Sequence, residues 1–221
     1  MEQKKEYKFS EITYKILKEI SNFDQVRSQD IFEEWFNFHY EIDVSDKKYL
    51  KGLIEANRYN ISDYIEYQLL AHFISPLLHK VYFYGKNFRE WFQPELSGIV
   101  NGKILKGKPD FMVASGKREP KKPFFFLQEF KKQSANSDPL SQLTAQMAVA
   151  MEINKSKEIK GAYNIGRFWF FIVLEKINDK KYQYHESKAF DCLDYEHLKQ
   201  IFINLKAVKH KYCNLISNVN E

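Results

Sequence analysis

The stretch "FFFLQEFKKQ", Phe124 to Gln133, places charged residues where a buried strand should continue. Three phenylalanines followed by a leucine predict a strand that is covered on both faces, and therefore an interior strand of a sheet. Side chains alternate along a strand, so Glu129 and Lys131 share one face while Phe130 points to the other. Charges on an interior strand are costly unless they are paired or bind a metal ion. The stretch therefore predicts a chemical site on this strand.

The preceding strand supplies a partner for Glu129. Pro109-Asp110 stands at the start of "FMVA", and proline is tolerated at a strand entrance, where its missing N–H is not needed. Asp110 precedes Glu129 by 19 residues, enough for one strand, a basic loop and the return. Antiparallel pairing would set the two carboxylates side by side, where they repel each other unless a cation lies between them. A small set of oxygen ligands suits Mg²⁺, which keeps several waters and accepts phosphate oxygens.

Lys131 lies two residues beyond Glu129 and would face the same point. An ammonium group there can orient or deprotonate an attacking water and stabilise the charge that builds on a phosphate. The alternative interpretation is a buried ion pair with a structural role only.

The rest of the chain predicts an α/β fold. Residues 1–60 show helical periodicity and no strand pattern, which predicts a helical N-terminal extension, followed by an α/β domain over residues 61–221. A helix capped by Ser62 is expected to run to about His79. Its apolar stripe places Glu66 at one edge of the buried face. That stripe comprises Ile61, Ile65, Leu69, Phe73 and Leu77, widened by Leu70 and Ile74.

Further elements are predicted from local signals. "PELSGIV" and "ILKGKPDFMVA" are expected to form two strands joined by a turn at Asn101-Gly102. Asp138-Pro139 predicts the start of a helix that runs to about Asn154. "AYNIG" and "RFWFFIVLE" are expected to be strands, "KYQYHES" an edge strand, and the chain to end in a helix carrying Leu198 and Ile201.

Charge and composition narrow the class of protein. The net charge is +5, and residues 101–132 alone carry nine bases against three acids. Such clustering favours a polyanionic partner, nucleic acid in particular, although a solvated hairpin is the alternative. Cys192 and Cys213 are too far apart for a paired motif, so no disulfide framework or zinc site is expected. The absence of an apolar run of about 20 residues predicts a soluble, cytoplasmic chain without membrane contact.

The pattern "PDFMVA…FLQEFKK" resembles the PD-(D/E)XK nuclease superfamily, over about Ser62 to Leu174. The resemblance implies a restriction-endonuclease-like core, a mixed central sheet flanked by helices. It also implies hydrolysis of phosphodiester bonds in DNA, sometimes RNA, with Mg²⁺, for which Mn²⁺ can substitute. Asp110, Glu129 and the backbone carbonyl of Phe130 would hold the metal, and Lys131 would position the water.

Additional site residues follow from the same resemblance. Glu66 would occupy the accessory acidic position, as a further metal ligand or a support for Lys131, and Glu95 is the rival for that role. Gln142 and Gln146 lie one turn apart on one helix face. They are similar to the glutamine of RecB-like nucleases and type I restriction subunits, which often carry a tyrosine where this chain has Gln146. Ordinary polar positions are the alternative for both glutamines.

Two functions from different classes remain. The first is a Mg²⁺-dependent nuclease, and the second is a non-catalytic nucleic-acid-binding or assembly module on the same fold, because a fold does not fix a function. The apolar faces of the N-terminal helices need a cover, which the nuclease-like core, a partner or a second copy in a homodimer would provide. The sequence does not decide whether the substrate is DNA or RNA, or whether a nuclease of this kind would be an endonuclease or an exonuclease.

Overall fold

The computed structural model describes residues 5–134 and 137–218, with side chains described as far as Tyr212. The helices are α1 (Tyr14–Ile20), α2 (Glu33–Phe36), α3 (Val44–Asn57), α4 (Glu66–Leu69), α5 (Ser75–Val81), α6 (Pro139–Asn154) and α7 (Tyr195–Asn218). The strands are β1 (Glu6–Lys8), β2 (Asn22–Val26), β3 (Phe88–Phe92), β4 (Leu96–Val100), β5 (Lys103–Gly107), β6 (Phe111–Ser115), β7 (Lys121–Lys131), β8 (Glu158–Ile165), β9 (Phe168–Asn178), β10 (Lys181–Glu186) and β11 (Phe190–Asp191).

A mixed sheet forms the centre of the α/β fold. Its strand order is β2-β10-β9-β8-β7-β6-β3, and β11 pairs with β9. The β7/β8 and β10/β2 pairs are parallel, and the other pairs are antiparallel. α6 packs on one face of the sheet, while α5 and α7 pack on the other. The prediction of an α/β fold with a mixed sheet flanked by helices is confirmed, and β7 is the interior strand that its apolar run predicted.

The helix after β7 begins and ends as the sequence predicts. The carboxylate of Asp138 accepts the backbone N–H of Ser141 at 2.9 Å, and Pro139 opens α6. Lys155 ends the helix in a left-handed conformation. At that end the Asn154 side chain accepts the backbone N–H of Phe124 at 3.0 Å, which ties the helix to the start of β7. α6 is therefore capped at its start and tied to the main sheet at its end.

A second, three-stranded sheet stands beside the main one, in the order β1-β5-β4. β4 and β5 form the predicted hairpin, and Asn101 and Gly102 both have the positive φ that its tight turn requires. The prediction of one strand through "ILKGKPDFMVA" is wrong, because the strand is interrupted: β5 ends at Gly107 and β6 begins at Phe111. β5 joins the small sheet and β6 joins the large one, so Asp110 lies where the two sheets meet. β3 was not predicted.

The prediction that residues 1–60 contain no strand is also wrong. β1 pairs with β5, and β2 is the edge strand that pairs in parallel with β10, so "KYQYHES" is not an edge strand. The N-terminal helices are covered by this same chain. Trp35 of α2 is buried and donates its indole N–H to the backbone oxygen of Asn204 in α7 at 2.8 Å.

The helix predicted from Ser62 to His79 is divided into several turns. A 3₁₀ turn spans Ile61–Asp63, α4 begins at Glu66, and a π-helical turn over Leu70–Ile74 leads into α5. The capping role predicted for Ser62 is wrong, because Ile65 precedes the helix. Ile65 itself is exposed, whereas Leu69, Phe73 and the rest of the predicted stripe are buried or partly buried. Glu66 is therefore the first residue of α4, and the wide π turn shifts the helical register of the residues that follow it.

Two further predictions concern cysteines and membranes. Cys192 is a buried free thiol, while the side chain of Cys213 lies outside the described residues. Within residues 5–134 and 137–218, none of the helices combines the length and the apolarity that a membrane crossing requires.

Replacing Phe23 tests whether the N-terminal region belongs to the main fold. Phe23 is fully buried and stacks on Tyr182 with ring centroids 4.7 Å apart. We expect Phe23→Ala to lower the free energy of unfolding by about 3–5 kcal/mol, because a buried aromatic side chain is lost and a cavity remains. The control is Tyr59→Ala, since Tyr59 is 84% exposed and should change stability by less than about 0.5 kcal/mol. Urea unfolding measures both; equal midpoints would contradict the structure.

Candidate active site

The pairing of β6 with β7 brings Asp110 to Glu129. Phe111 lies opposite Gln128 in this antiparallel pair, so Asp110, just before β6, is level with Glu129. The Asp110 Oδ2 atom accepts the backbone N–H of Phe130 at 2.8 Å. This bond fixes the carboxylate against β7, and the predicted side-by-side arrangement of the two acids is confirmed.

Lys131 completes a cluster of three charged groups. Its Nζ atom lies 3.4 Å from Glu129 Oε2 and 3.9 Å from Asp110 Oδ2. The three side chains predicted from the sequence thus face one point at the end of β7. Phe130 points to the opposite face, into the core beneath α5 and α7.

α6 contributes a second contact to Glu129. The Gln146 Nε2 atom donates to Glu129 Oε1 at 2.6 Å, and both side chains are at least 97% buried. Gln142, one turn earlier, is also buried and lines a cavity that opens over the two carboxylates. The Oε1 atom of Gln146 is buried and has no hydrogen-bond partner among the described residues. Gln146 therefore holds the Glu129 carboxylate in place by a hydrogen bond. Gln142 lines the cavity and, among the described residues, has no side-chain hydrogen bond to Glu129.

The two carboxylates are destabilised in their charged forms. Burial and, to a smaller extent, the Asp110 charge raise the pKa of Glu129 to about 7, against the opposing effects of Lys131 and Gln146. Burial likewise raises the pKa of Asp110, although the Phe130 N–H and the Lys131 charge partly offset it. With both carboxylates ionised, the site would carry two negative charges against the single ammonium group of Lys131.

Lys131 remains protonated near neutral pH. Burial alone would lower the pKa of Lys131, but the charges of Glu129, Asp110 and Glu66 outweigh it and raise the pKa above its ordinary value. An ammonium with a raised pKa is a poor proton acceptor. Its chemistry in this site is the stabilisation of negative charge and the orientation of water.

The residues fit a hard divalent cation. No group of three or more His, Cys, Asp or Glu side chains in residues 5–134 and 137–218 is arranged to hold a metal. Mg²⁺ does not need such a group, since one or two carboxylates with waters and phosphate oxygens suffice. The buried Glu129 carboxylate and the partly buried Asp110 carboxylate both have raised pKa values, and a cation beside them would stabilise their charged forms. The Phe130 carbonyl stays a prediction, because the contact described for this residue is that of its N–H.

The two candidate accessory acids lie in different surroundings. Glu66 is exposed at the start of α4, where it lines a small cavity with Asp110, Gln93 and Phe130. Its charge raises the pKa of both Asp110 and Lys131. Glu95 lines the main cavity, but its carboxylate forms an ion pair with Lys108 at 3.1 Å. The electrostatic coupling favours Glu66.

A cavity of about 460 Å³ opens over the carboxylates. It contains four residues that the sequence did not indicate as part of a site, Lys8, Phe9, Ser10 and Gln93. The first three come from β1 and the turn that follows it, about 100 residues from Asp110 along the chain. Short strands carry no periodic signal, so their pairing could not be read from the sequence.

The basic segment of residues 101–132 is divided between two ends of the molecule. Lys106 and Lys108 line the cavity. Lys117, Arg118 and Lys121 belong to the loop and strand start at the other end of β7, roughly 30 Å from Lys131 at the rise of an extended strand. The basic segment predicted from the sequence is therefore divided in the structure, and only part of its positive charge lies at the candidate site.

A second cavity of about 450 Å³ lies near α2 and α7. It is lined by the buried Lys160, whose Nζ lies 2.8 Å from Glu158 Oε1 and 5.0 Å from the Trp35 ring centroid. Burial lowers the pKa of Lys160. Lys160 is paired with the partly exposed Glu158, so its burial is explained by an ion pair, and this cavity does not compete with the carboxylate site.

Replacing Glu129 by glutamine should change stability in a pH-dependent way. The folded pKa of about 7 exceeds the ordinary value of 4.5, so the folded protein binds the proton more tightly, and stability falls as pH rises from about 4.5 to 7. Glu129→Gln removes this loss and keeps an oxygen for Gln146. We expect equal unfolding free energies for variant and wild type near pH 4, and a variant more stable by about 3 kcal/mol at pH 8. Urea denaturation at both pH values measures this, and a pH-independent difference would contradict it.

Comparison of this chain with protein-family models and with curated proteins finds no match. The function proposed below therefore depends on the geometry of the cluster and on the motif in the sequence.

Proposed function

We propose that this chain is a Mg²⁺-dependent nuclease that hydrolyses phosphodiester bonds in DNA, built on a restriction-endonuclease-like core. The observation that carries the proposal is the convergence of Asp110, Glu129 and Lys131 at the end of an interior strand. The order of these residues on two antiparallel strands, followed by a helix with two inward glutamines, supports the resemblance to the PD-(D/E)XK superfamily.

Asp110 and Glu129, with the Phe130 carbonyl, would hold the Mg²⁺ ion. When bound, the metal polarises the scissile phosphate and lowers the pKa of a water molecule. Lys131 keeps its proton, and its ammonium group stabilises the negative charge that develops on the phosphate oxygens. The same group orients the attacking water by donating to it. Proton abstraction by Lys131 is not part of the proposed mechanism.

Gln146 is a positioning residue in this mechanism. Its amide donates to the Glu129 oxygen that faces away from Lys131, which fixes the orientation of the carboxylate. The helix that carries Gln146 is itself fixed by the Asp138 cap. The metal site would thus be held by a strand and a helix and not by loops alone.

Two matched pairs of variants test the nuclease function. Asp110→Asn keeps an oxygen for the Phe130 N–H but removes a metal-binding charge, and Lys131→Met removes the ammonium group. We expect each to reduce cleavage of plasmid and single-stranded DNA in Mg²⁺ by about 10²–10³-fold, and EDTA to abolish it. The controls are Asp179→Asn, at an exposed acid, and Lys132→Met, at an exposed lysine, which should cleave like wild type.

Equal cleavage by all five proteins would indicate a contaminating nuclease and contradict the proposal. Binding of DNA without cleavage, with a steep salt dependence, would favour the non-catalytic binding module instead. Cleavage of RNA oligonucleotides under the same conditions decides between the two nucleic acids.

A second comparison identifies the accessory acid. If Glu66 supports the metal site, Glu66→Gln should raise the Mg²⁺ concentration needed for half-maximal cleavage by about tenfold, as expected for outer residues of a metal site. Glu95→Gln should change it by less than about twofold, because Glu95 is paired with Lys108. A Mg²⁺ titration of cleavage rate measures both variants, and a larger shift for Glu95→Gln would assign the role to Glu95.

A further inference from the structure

We propose that the N-terminal segment and β5 together form a phosphate-binding wall beside the carboxylate site. The basic wall consists of Lys8, Lys106 and Lys108, and its ligand is the backbone of a single nucleic-acid strand. This inference rests on the proposed function for the identity of the ligand, but its test measures binding and requires no cleavage.

The register of β1 and β5 concentrates positive charge at one point. Lys8 lies directly opposite Lys106 in this parallel pair, and Lys108 follows two residues later. Like charges opposite each other destabilise a sheet. All three lysines line the same cavity as Asp110 and Glu129. Residues whose arrangement lowers the stability of the fold are expected at functional sites, where the free energy of ligand binding compensates for the loss.

Each lysine of the basic wall is held by an exposed carboxylate. Lys106 lies 2.6 Å from Glu6, Lys8 lies 3.8 Å from Glu11, and Lys108 lies 3.1 Å from Glu95. These six side chains are between 45% and 79% exposed. Ion pairs this exposed contribute little to stability, so a phosphate group can replace each carboxylate. The glutamates relieve repulsion among the lysines until a polyanion binds.

The N-terminal segment is attached firmly enough to present these charges. Phe9 is buried beside β5, and a Cβ atom at Gly107 would lie only 3.0 Å from its ring. Gly107 also has a φ of +145°, which favours glycine. The close approach of Phe9 to the Gly107 backbone therefore ties the wall to the junction of the two sheets.

The concave position of the wall favours a nucleic-acid strand over a flat anionic surface. The lysines share a cavity of about 460 Å³ with the carboxylates, so an anion bound to them lies next to the candidate cation site. A flat membrane surface cannot enter such a cavity. A phosphodiester chain can place one phosphate at the carboxylates and its neighbours on the wall.

The opposite end of β7 offers a matched control. Lys117, Lys121 and Lys122 are exposed there and form no ion pair with any residue in the described ranges. Lys8→Gln/Lys106→Gln/Lys108→Gln and Lys117→Gln/Lys121→Gln/Lys122→Gln change the net charge by the same amount. A difference between the two triple variants therefore reports position and not total charge.

The experiment is fluorescence anisotropy of a labelled single-stranded DNA 20-mer in EDTA, over a series of NaCl concentrations. We expect the wall variant to lose at least tenfold in affinity, and the slope of log K against log salt to fall by about 2, as for three phosphate contacts on a single strand. The control variant should stay within about twofold of wild type. Far-ultraviolet circular dichroism and urea midpoints show that both variants fold.

Equal losses in the two variants would mean that only net charge matters and would overturn the proposal. An unchanged wall variant, or a wild-type protein that does not bind the strand, would overturn it as well. The outcome is separable from that of the nuclease test: cleavage that depends on Asp110 can coexist with a wall that does not bind, and the converse also holds.

Discussion

The hydrogen bond from the Phe130 N–H to the Asp110 carboxylate is the constraint on which the site depends. Asp110 lies just outside β6, so strand pairing alone does not fix its side chain. The backbone of β7 supplies the missing restraint, and β7 also carries Glu129 and Lys131. One strand therefore positions all three charged groups, two by alternation along its length and one by a bond from its amide. Interior strands with neighbours on both sides deform little, which suits the fixed geometry that the proposed cation site would need.

This arrangement opposes stability. The buried Glu129 carboxylate lies beside the partly buried side chains of Asp110 and Lys131, and burial raises the pKa of both acids. Gln146 and the Phe130 N–H compensate part of the lost hydration through hydrogen bonds. A fully apolar strand end would be expected to fold more favourably, because removing a buried ion cluster is often neutral or stabilising. Protonation of Glu129, whose pKa is about 7, or a ligand of opposite charge would relieve the remaining electrostatic strain, so the stability of this region and its proposed metal binding depend on the same residues.

Local signals predicted the elements that surround the site. The apolar run predicts β7, Asp138-Pro139 predicts the start of α6, and Asn101-Gly102 predicts the turn of the hairpin. Each of these signals is local in sequence, and each element is present as expected. The proximity of Asp110 to Glu129 followed from spacing within a hairpin. Partners distant in sequence could not be predicted. β1 and β2 have three and five residues, too few for a periodic pattern, and they pair with strands about 100 and 160 residues away. The π turn in the helix region likewise depends on packing and not on local propensity.

The break between β5 and β6 explains why a cavity exists at all. Had residues 104–114 formed one strand, as their sequence suggested, Asp110 would lie within a continuous ladder, and β5 would extend the main sheet. The chain instead turns after Gly107, β5 pairs with the N-terminal strand, and the two sheets diverge. Asp110 follows this interruption and lines one cavity together with Glu129, Lys131 and Lys106. The acids that suit a cation and the bases that suit a phosphate thus share a cavity where one strand is interrupted. The interruption between β5 and β6 therefore accounts for the position of the candidate site in this topology.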